Sequence, residues 1–131
     1  MSTASPAAVR NALNWFEIAV GDIAAARTFY SAILNAPLGE PSSCGEGSMV
    51  LLPGNVEEGV GGSLTQSPQL KPGAGGTLVY LNVEGDLDGV VSRIPAAGGK
   101  VIVARKAIPP HGFIAIFSDP EGNVVGLHSL T

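Results

Sequence analysis

Two halves of this chain repeat one order of segments: an alternating strand, an aspartate, an apolar helix, then three more strands. Trp15 lies seven residues before Asp22, and Leu78 lies eight before Asp86, so the halves match to within one insertion. A repeat on this scale means that each unit cannot bury its apolar face alone and must pack against its twin. The pattern predicts an α+β fold of two βαβββ modules, residues 13–66 and 77–130, within one domain spanning 1–131. Ser67 to Gly76, punctuated by proline and glycine, reads as the linker between them.

The local signals support that order. From Leu13 to Val20, Leu13, Trp15, Glu17 and Ala19 alternate with Asn14, Phe16, Ile18 and Val20. The second set reads as core, and the mixed first set suits the wall of a cavity. Asp22 and Asp86 are placed to cap helices over 22–34 and 86–97, whose apolar residues recur at helical spacing. Asn35-Ala36-Pro37 ends the first helix, and Gly98-Gly99 closes the second after Pro95. Further strands are expected near 38–44, 49–52, 60–65, 77–83, 100–104, 113–117 and 124–130. Between the last two, Asp119-Pro120-Glu121-Gly122-Asn123 is dense in turn formers, and the stretch from Val56 to Leu64 reads as a looser copy.

Composition narrows function by exclusion. With 45% hydrophobic and 14% charged residues the chain has the makings of a core and is no disordered polyelectrolyte. A net charge of −4 argues against nucleic acid and anionic membrane surfaces as partners. Two histidines and one cysteine rule out disulfide frameworks and cysteine-rich zinc sites. Residues 1–12 are expected to be unordered. They lack a long apolar run, and no segment has the length of a membrane span, so the expected location is cytoplasmic.

The strand–Asp–helix unit with Phe29-Tyr30, then Ala96-Ala97-Gly98-Gly99-Lys100-Val101, then Asp119-Pro120-Glu121-Gly122-Asn123, resembles the vicinal oxygen chelate superfamily. That group includes glyoxalase I, bleomycin-resistance and fosfomycin-resistance proteins and extradiol dioxygenases, and the resemblance covers about residues 13 to 130. It implies that the modules roll into incomplete curved barrels around a cavity, and that the protein is a homodimer. In such proteins a divalent metal sits on side chains of the first and last strands of the modules. Carried over position by position, those ligands fall here on Trp15, Leu78, Gly126 and, at the end of the first module, Gly62. None can hold a metal through its side chain, so no metal or other cofactor is expected.

The resemblance therefore implies a cavity protein that binds a small molecule, as bleomycin-resistance-type relatives do by sequestration. The alternative is a metal-dependent lyase, isomerase or dioxygenase of the glyoxalase type with non-standard ligands. Trp15, Glu17, Tyr80, Asn82 and His128 are the candidate ligand-binding residues. Glu17 and His128 could transfer protons as a pair, could half-ligate a displaced metal, or could simply hydrogen-bond each other or nearby backbone as buried polar groups. His111 sits in a loop and reads as solvated, and Cys44, with no base nearby in sequence, reads as inert.

Overall fold

The computed structural model describes residues 11–55 and 57–131. The start expected to be unordered lies almost wholly outside the described residues, as does Val56 at the head of the looser turn copy. The elements run β1 (Trp15–Ala19), α1 (Ile23–Leu34), β2 (Ser42–Cys44), β3 (Gly47–Leu51), β4 (Gly61–Gln66), β5 (Tyr80–Asn82), α2 (Leu87–Ala97), β6 (Lys100–Ala107), β7 (Phe113–Ser118) and β8 (Val124–Ser129). The strands make two four-stranded mixed sheets, ordered β1-β4-β3-β2 (sheet A) and β5-β8-β7-β6 (sheet B), neither closed into a barrel. In each sheet the first strand runs parallel to the last, and the remaining pairs are antiparallel. Both halves thus share the topology expected from the repeat. Among the described residues no helix is long and apolar enough to cross a membrane.

The two helix starts differ. Asp22 caps α1 as expected, accepting from the Ala25 N–H at 3.1 Å. Asp86 occupies the equivalent place ahead of α2 but makes no side-chain cap. Its carboxylate turns to Arg93, 2.6 Å away, because a charged partner one helical turn pair along outcompetes a neutral N–H. Arg93 Nε also donates to the Ile33 carbonyl at 2.9 Å and so ties α2 to the end of α1. Asn35 ends α1 in the left-handed conformation, with its N–H returned to Ala32. The one-residue insertion falls just before α2, where Gly85 takes a φ of 82°.

Strand lengths depart from expectation in three places. The strand expected near 38–44 is only Ser42–Cys44, since the Leu38 N–H donates to Ser31 Oγ and its carbonyl accepts from Arg27. The strand expected over 77–83 shrinks to Tyr80–Asn82, because Gly75 and Gly76, both at positive φ, delay entry into the ladder. The strand expected over 100–104 extends to Ala107, crossing two register shifts against β7.

One face of each sheet packs on helix; the opposite face carries Trp15, Glu17, Ser63 and Thr65 in sheet A and Tyr80, Asn82, Gly126 and His128 in sheet B. Ile18, Val20, Val50 and Leu64 of module one share a core with Leu81, Val125 and Leu127 of module two. Phe29 and Tyr30 of α1 stack in an aromatic trio with Phe117 of β7, at centroid distances of 4.9, 6.1 and 6.3 Å. A helix of the first half thereby packs on a sheet of the second.

Polar groups lock the same joint. The Tyr30 hydroxyl donates to Asp119 Oδ2 at 2.9 Å, and Asn123 Nδ2 donates to the same oxygen at 2.9 Å and to the Ala19 carbonyl at 2.8 Å. Asp119 Oδ1 accepts the N–H groups of Glu121 and Asn123, at 2.9 and 3.0 Å. Asn123 Oδ1 accepts from Gly73 in the linker at 2.9 Å, and the Glu121 carboxylate accepts the N–H groups of Gly21 and Asp22. The five-residue turn is therefore a clamp that grips the end of β1, helix α1 and the linker together.

Burial first, then the Asp119 charge and hydrogen bond and the Glu121 charge, hold the Tyr30 hydroxyl well above the ordinary tyrosine range. Above about pH 10 the unfolded chain loses that proton while the folded chain keeps it. The unfolded state then binds fewer protons, so stability falls as pH rises. Below that pH the contribution is present in full. Tyr30→Phe is expected to cost about 1 kcal/mol at neutral pH and to flatten the loss of stability above pH 10. Urea titrations across that range measure both.

Candidate functional site

A cavity of about 800 Å³ opens between the free edges of β1 and β5. Both strands bond to a neighbour on one side only, so the gap between them is a place where two sheets meet without pairing. Leu13 and Phe16 come from the first module, with Leu52, Pro53, Gly54, Asn55, Gly59 and Val60 from the long β3–β4 connection. The second module supplies every residue from Thr77 to Glu84, with Asp86 and Val90 at the start of α2. The wall is largely aliphatic and aromatic, with a few polar groups at one side, which is the usual make-up of a small-molecule site.

Of the five candidate residues, Tyr80 and Asn82 line this cavity. Tyr80 is 43% exposed, and Asn82 holds its side chain by accepting from the Glu84 N–H at 3.0 Å. His128 stands beside Asn82 in the register of sheet B, and its Nε2 donates to the His111 carbonyl at 2.7 Å. Trp15 and Glu17 lie on the face of sheet A opposite the helix. Glu17 accepts from Thr65 Oγ1 at 3.1 Å, and Thr65 in turn accepts from Ser63 at 2.9 Å. Glu17 and His128 therefore stand in different sheets with different partners: they do not bond each other, and His128 bonds nearby backbone, the other form of the expectation. His111, read as a solvated loop residue, is exposed, and its backbone orients His128.

Register corrects one carried-over metal position. Val20 N–H donates to Thr65 O, and Val83 N–H donates to His128 O, so Thr65 and His128 are equivalent. The counterpart of Gly126 is then Ser63 rather than Gly62. Gly62 pairs with Phe16 on the helix-covered side, where a β-carbon would collide with the Phe16 ring. A slip of one residue inverts the face, and two adjacent glycines in β4 gave no side chain to fix the alignment. The four positions are thus Trp15, Ser63, Leu78 and Gly126. The Ser63 hydroxyl is fully buried and committed to Thr65. No imidazole or carboxylate stands at any of the four, and among the described residues no group of three or more His, Cys, Asp or Glu side chains is placed to hold a metal ion. The donor set does not fit the superfamily's divalent ion.

The space that Gly126 leaves on its face of sheet B is filled by the Tyr80 ring, which a β-carbon there would strike. An aromatic side chain laid over a cross-strand glycine is a known way of stabilising such a position. Sequence reading placed Phe16 wholly in the core, on its alternation with Ile18 and Val20. It is only half-buried, because its strand is an edge and its ring reaches the cavity. The β3–β4 connection was likewise read as a turn and not as a wall, although its nine residues are more than a hairpin needs.

Comparison with known proteins agrees with this architecture. Residues 12–127 match the family model described as Glyoxalase/Bleomycin resistance protein/Dioxygenase superfamily. A Mycobacterium bovis protein described as a glyoxylase, CFP32, is 28% identical over 117 residues, 87% of this chain. The chain spans only 44% of that relative's length. TnmS3, an antibiotic binding protein from Streptomyces sp. CB03234, is 27% identical, with a TM-score of 0.64 over 95% of this chain and 98% of that one. A glyoxalase/bleomycin resistance protein from the same Streptomyces is 29% identical, with a TM-score of 0.64 over 89% of this chain and 99% of that one. At 19% identity, a glyoxylase/bleomycin resistance protein/dioxygenase domain from Frankia sp. EAN1pec shares the fold, with a TM-score of 0.68 over 92% and 93% of the two chains.

Proposed function

Because the chain belongs to the glyoxalase/bleomycin resistance protein/dioxygenase superfamily, we propose that it binds a small, partly apolar molecule between β1 and β5 without that group's usual metal centre. The observation that carries this reading is the cavity of about 800 Å³ with a largely apolar wall and most of its polar groups on the β5 side. Tyr80 offers a ring face and a hydroxyl to a ligand there, and Asn82 a side-chain amide. Similarity to an antibiotic binding protein favours sequestration as the use of such a site. Similarity to a protein described as a glyoxylase favours a second reading, a metal-dependent enzyme of that type with non-standard ligands. Metal analysis of the purified protein separates them, since stoichiometric Zn, Ni, Mn or Fe would support the enzyme. A homodimer belongs to the same reading, and sedimentation velocity tests it.

A thermal-shift screen of small molecules is the direct experiment, because a ligand that binds the native state alone raises its melting temperature. Gly126→Leu supplies the control. The new side chain must drive the Tyr80 ring out of its seat and towards the cavity. Expected results are a loss of ligand-induced shift and a stability cost of about 1–3 kcal/mol from overpacking. Tyr80→Ala should weaken binding about tenfold or more while relieving no strain. If neither substitution alters the response to a hit, the ligand does not sit between β1 and β5.

A further inference from the structure

We propose that the free backbone edge of β5 recognises the ligand, which is a neutral molecule whose secondary amide pairs with that edge as one more strand would; this rests on the reading of the β1–β5 cavity just given. In a parallel ladder alternate residues turn their N–H and C=O groups to opposite edges. The Gly126 N–H donates to Val79 O and the Val83 N–H to His128 O, so Val79, Leu81 and Val83 face β8. Leu78, Tyr80 and Asn82 therefore turn theirs to the open edge. All three line the cavity, and among the described residues their backbone groups have no hydrogen-bond partner.

The equivalent edge of the other module is closed. Ala19 and Asn82 correspond, since each precedes the valine that donates to Thr65 O or His128 O. The Ala19 carbonyl accepts from Asn123 Nδ2 at 2.8 Å. Counting back from the paired strands, Asn123 corresponds to Val60, which has no amide to offer. Tyr30, whose hydroxyl holds Asp119, corresponds to Ile94, which has no hydroxyl. The clamp thus exists once, and its counterpart at β5 is left open to the cavity. No Cα of β1 comes within 8 Å of one in β5. Paired strands lie about 4.8 Å apart, so β1 does not supply the missing bonds.

The polar groups of the wall set the ligand's chemistry. No lysine, arginine or histidine lines it, so an anion finds no partner. Glu84 already accepts from the Leu130 N–H and the Thr131 hydroxyl, and Asp86 is paired with Arg93, so a cation gains little. Asn55 Oδ1 and Asn82 Oδ1 accept from nearby N–H groups. What stays open is a row of alternating backbone donors and acceptors beside Phe16, Leu52 and Val60. A wholly apolar ligand would strip those groups of water and return nothing. An amide in an extended chain offers a donor and an acceptor at the matching spacing.

The probes are N-acetyl-L-leucine N′-methylamide and the same compound methylated on its leucine nitrogen, titrated into the full chain. Methylation removes a donor and adds apolar surface, so apolar burial alone would favour the methylated form. The parent is expected to bind at least about tenfold more tightly. Hydrogen exchange followed by NMR reads the contact at the backbone itself. In the free chain the Tyr80 and Asn82 N–H groups should exchange quickly, and those of Leu81 and Val83, which face β8, slowly. With the parent at about ten times its Kd, the first two should slow about tenfold. Equal affinity of the two probes, no saturable binding of the parent, or unaltered exchange at Tyr80 and Asn82 would overturn the inference. So would protection of those two amides that grows with protein concentration and no probe, because the edge of a second copy would then be the occupant. A screening hit that is lost on Gly126→Leu, yet leaves both amides exchanging freely, would overturn the pairing and keep the cavity reading. If no hit responds to Gly126→Leu or Tyr80→Ala, both fall.

Discussion

Asp119→Ala is expected to destabilise the fold by about 3–5 kcal/mol. Asp119 is 5% exposed, and its carboxylate receives four donors: the Tyr30 hydroxyl, Asn123 Nδ2 and the N–H groups of Glu121 and Asn123. Alanine removes the acceptor and leaves the donors behind in a space that Tyr30 and Asn123 also bury. A buried donor without a partner costs about 1–3 kcal/mol, and relaxation or an entering water recovers part of the sum. The remainder is a large share of the total stability of a domain this size, about 5–15 kcal/mol. Asp119→Asn should recover only part, because its amide oxygen can serve the turn while its NH₂ faces the two donors at Oδ2. Urea midpoints at unchanged m-value would show it. A loss below about 1 kcal/mol would mean that the turn does not hold the modules together.

Phe117→Ala is expected to have an effect of similar size, about 3–5 kcal/mol, by a different route. The ring is fully buried and touches both aromatics of α1, so its removal opens a cavity where the two halves meet. A rigid joint cannot collapse to fill that space, which places the cost towards the upper end of the range. Phe117→Leu should lose appreciably less. A thermal melt of the alanine variant that separates into two transitions would show that the halves had become independent; a single, lowered transition is the expected result.

The repeat made the fold legible, because helix spacing, turn chemistry and strand alternation all pointed to the same order twice over. What could not be read was how the halves touch. Asp119 and Asn123 are turn formers in any fold, and nothing in their spacing says that the turn will also hold Tyr30, Ala19 and Gly73. A tyrosine in the apolar stripe of α1 was the available hint, since a buried hydroxyl needs a partner. The site was legible strand by strand and not between strands. Tyr80, Asn82 and His128 do share one side of sheet B, and Trp15 and Glu17 one side of sheet A, but which sheet faces meet a common space depends on packing between modules. Gly62 failed for a local reason: with Gly61 beside it, no side chain marked which face was which.

The two strand-joining segments have opposite obligations. The β7–β8 turn is short and tied at nearly every polar atom, whereas the β3–β4 connection is long, and past Leu52 its described hydrogen bonds are local, the N–H groups of Glu57, Glu58 and Gly59 donating to Asn55. Yet it is the second that walls the cavity. Natural proteins sit close to a stability threshold, and substitutions that alter function usually draw on that margin. Under the proposed function, the residues that would meet a ligand on this connection are largely separate from those that make the clamp. If the cavity holds the ligand as proposed, substitutions in residues 53–55 and 57–60 are expected to change what it accepts at small thermodynamic cost, while the clamp is left alone.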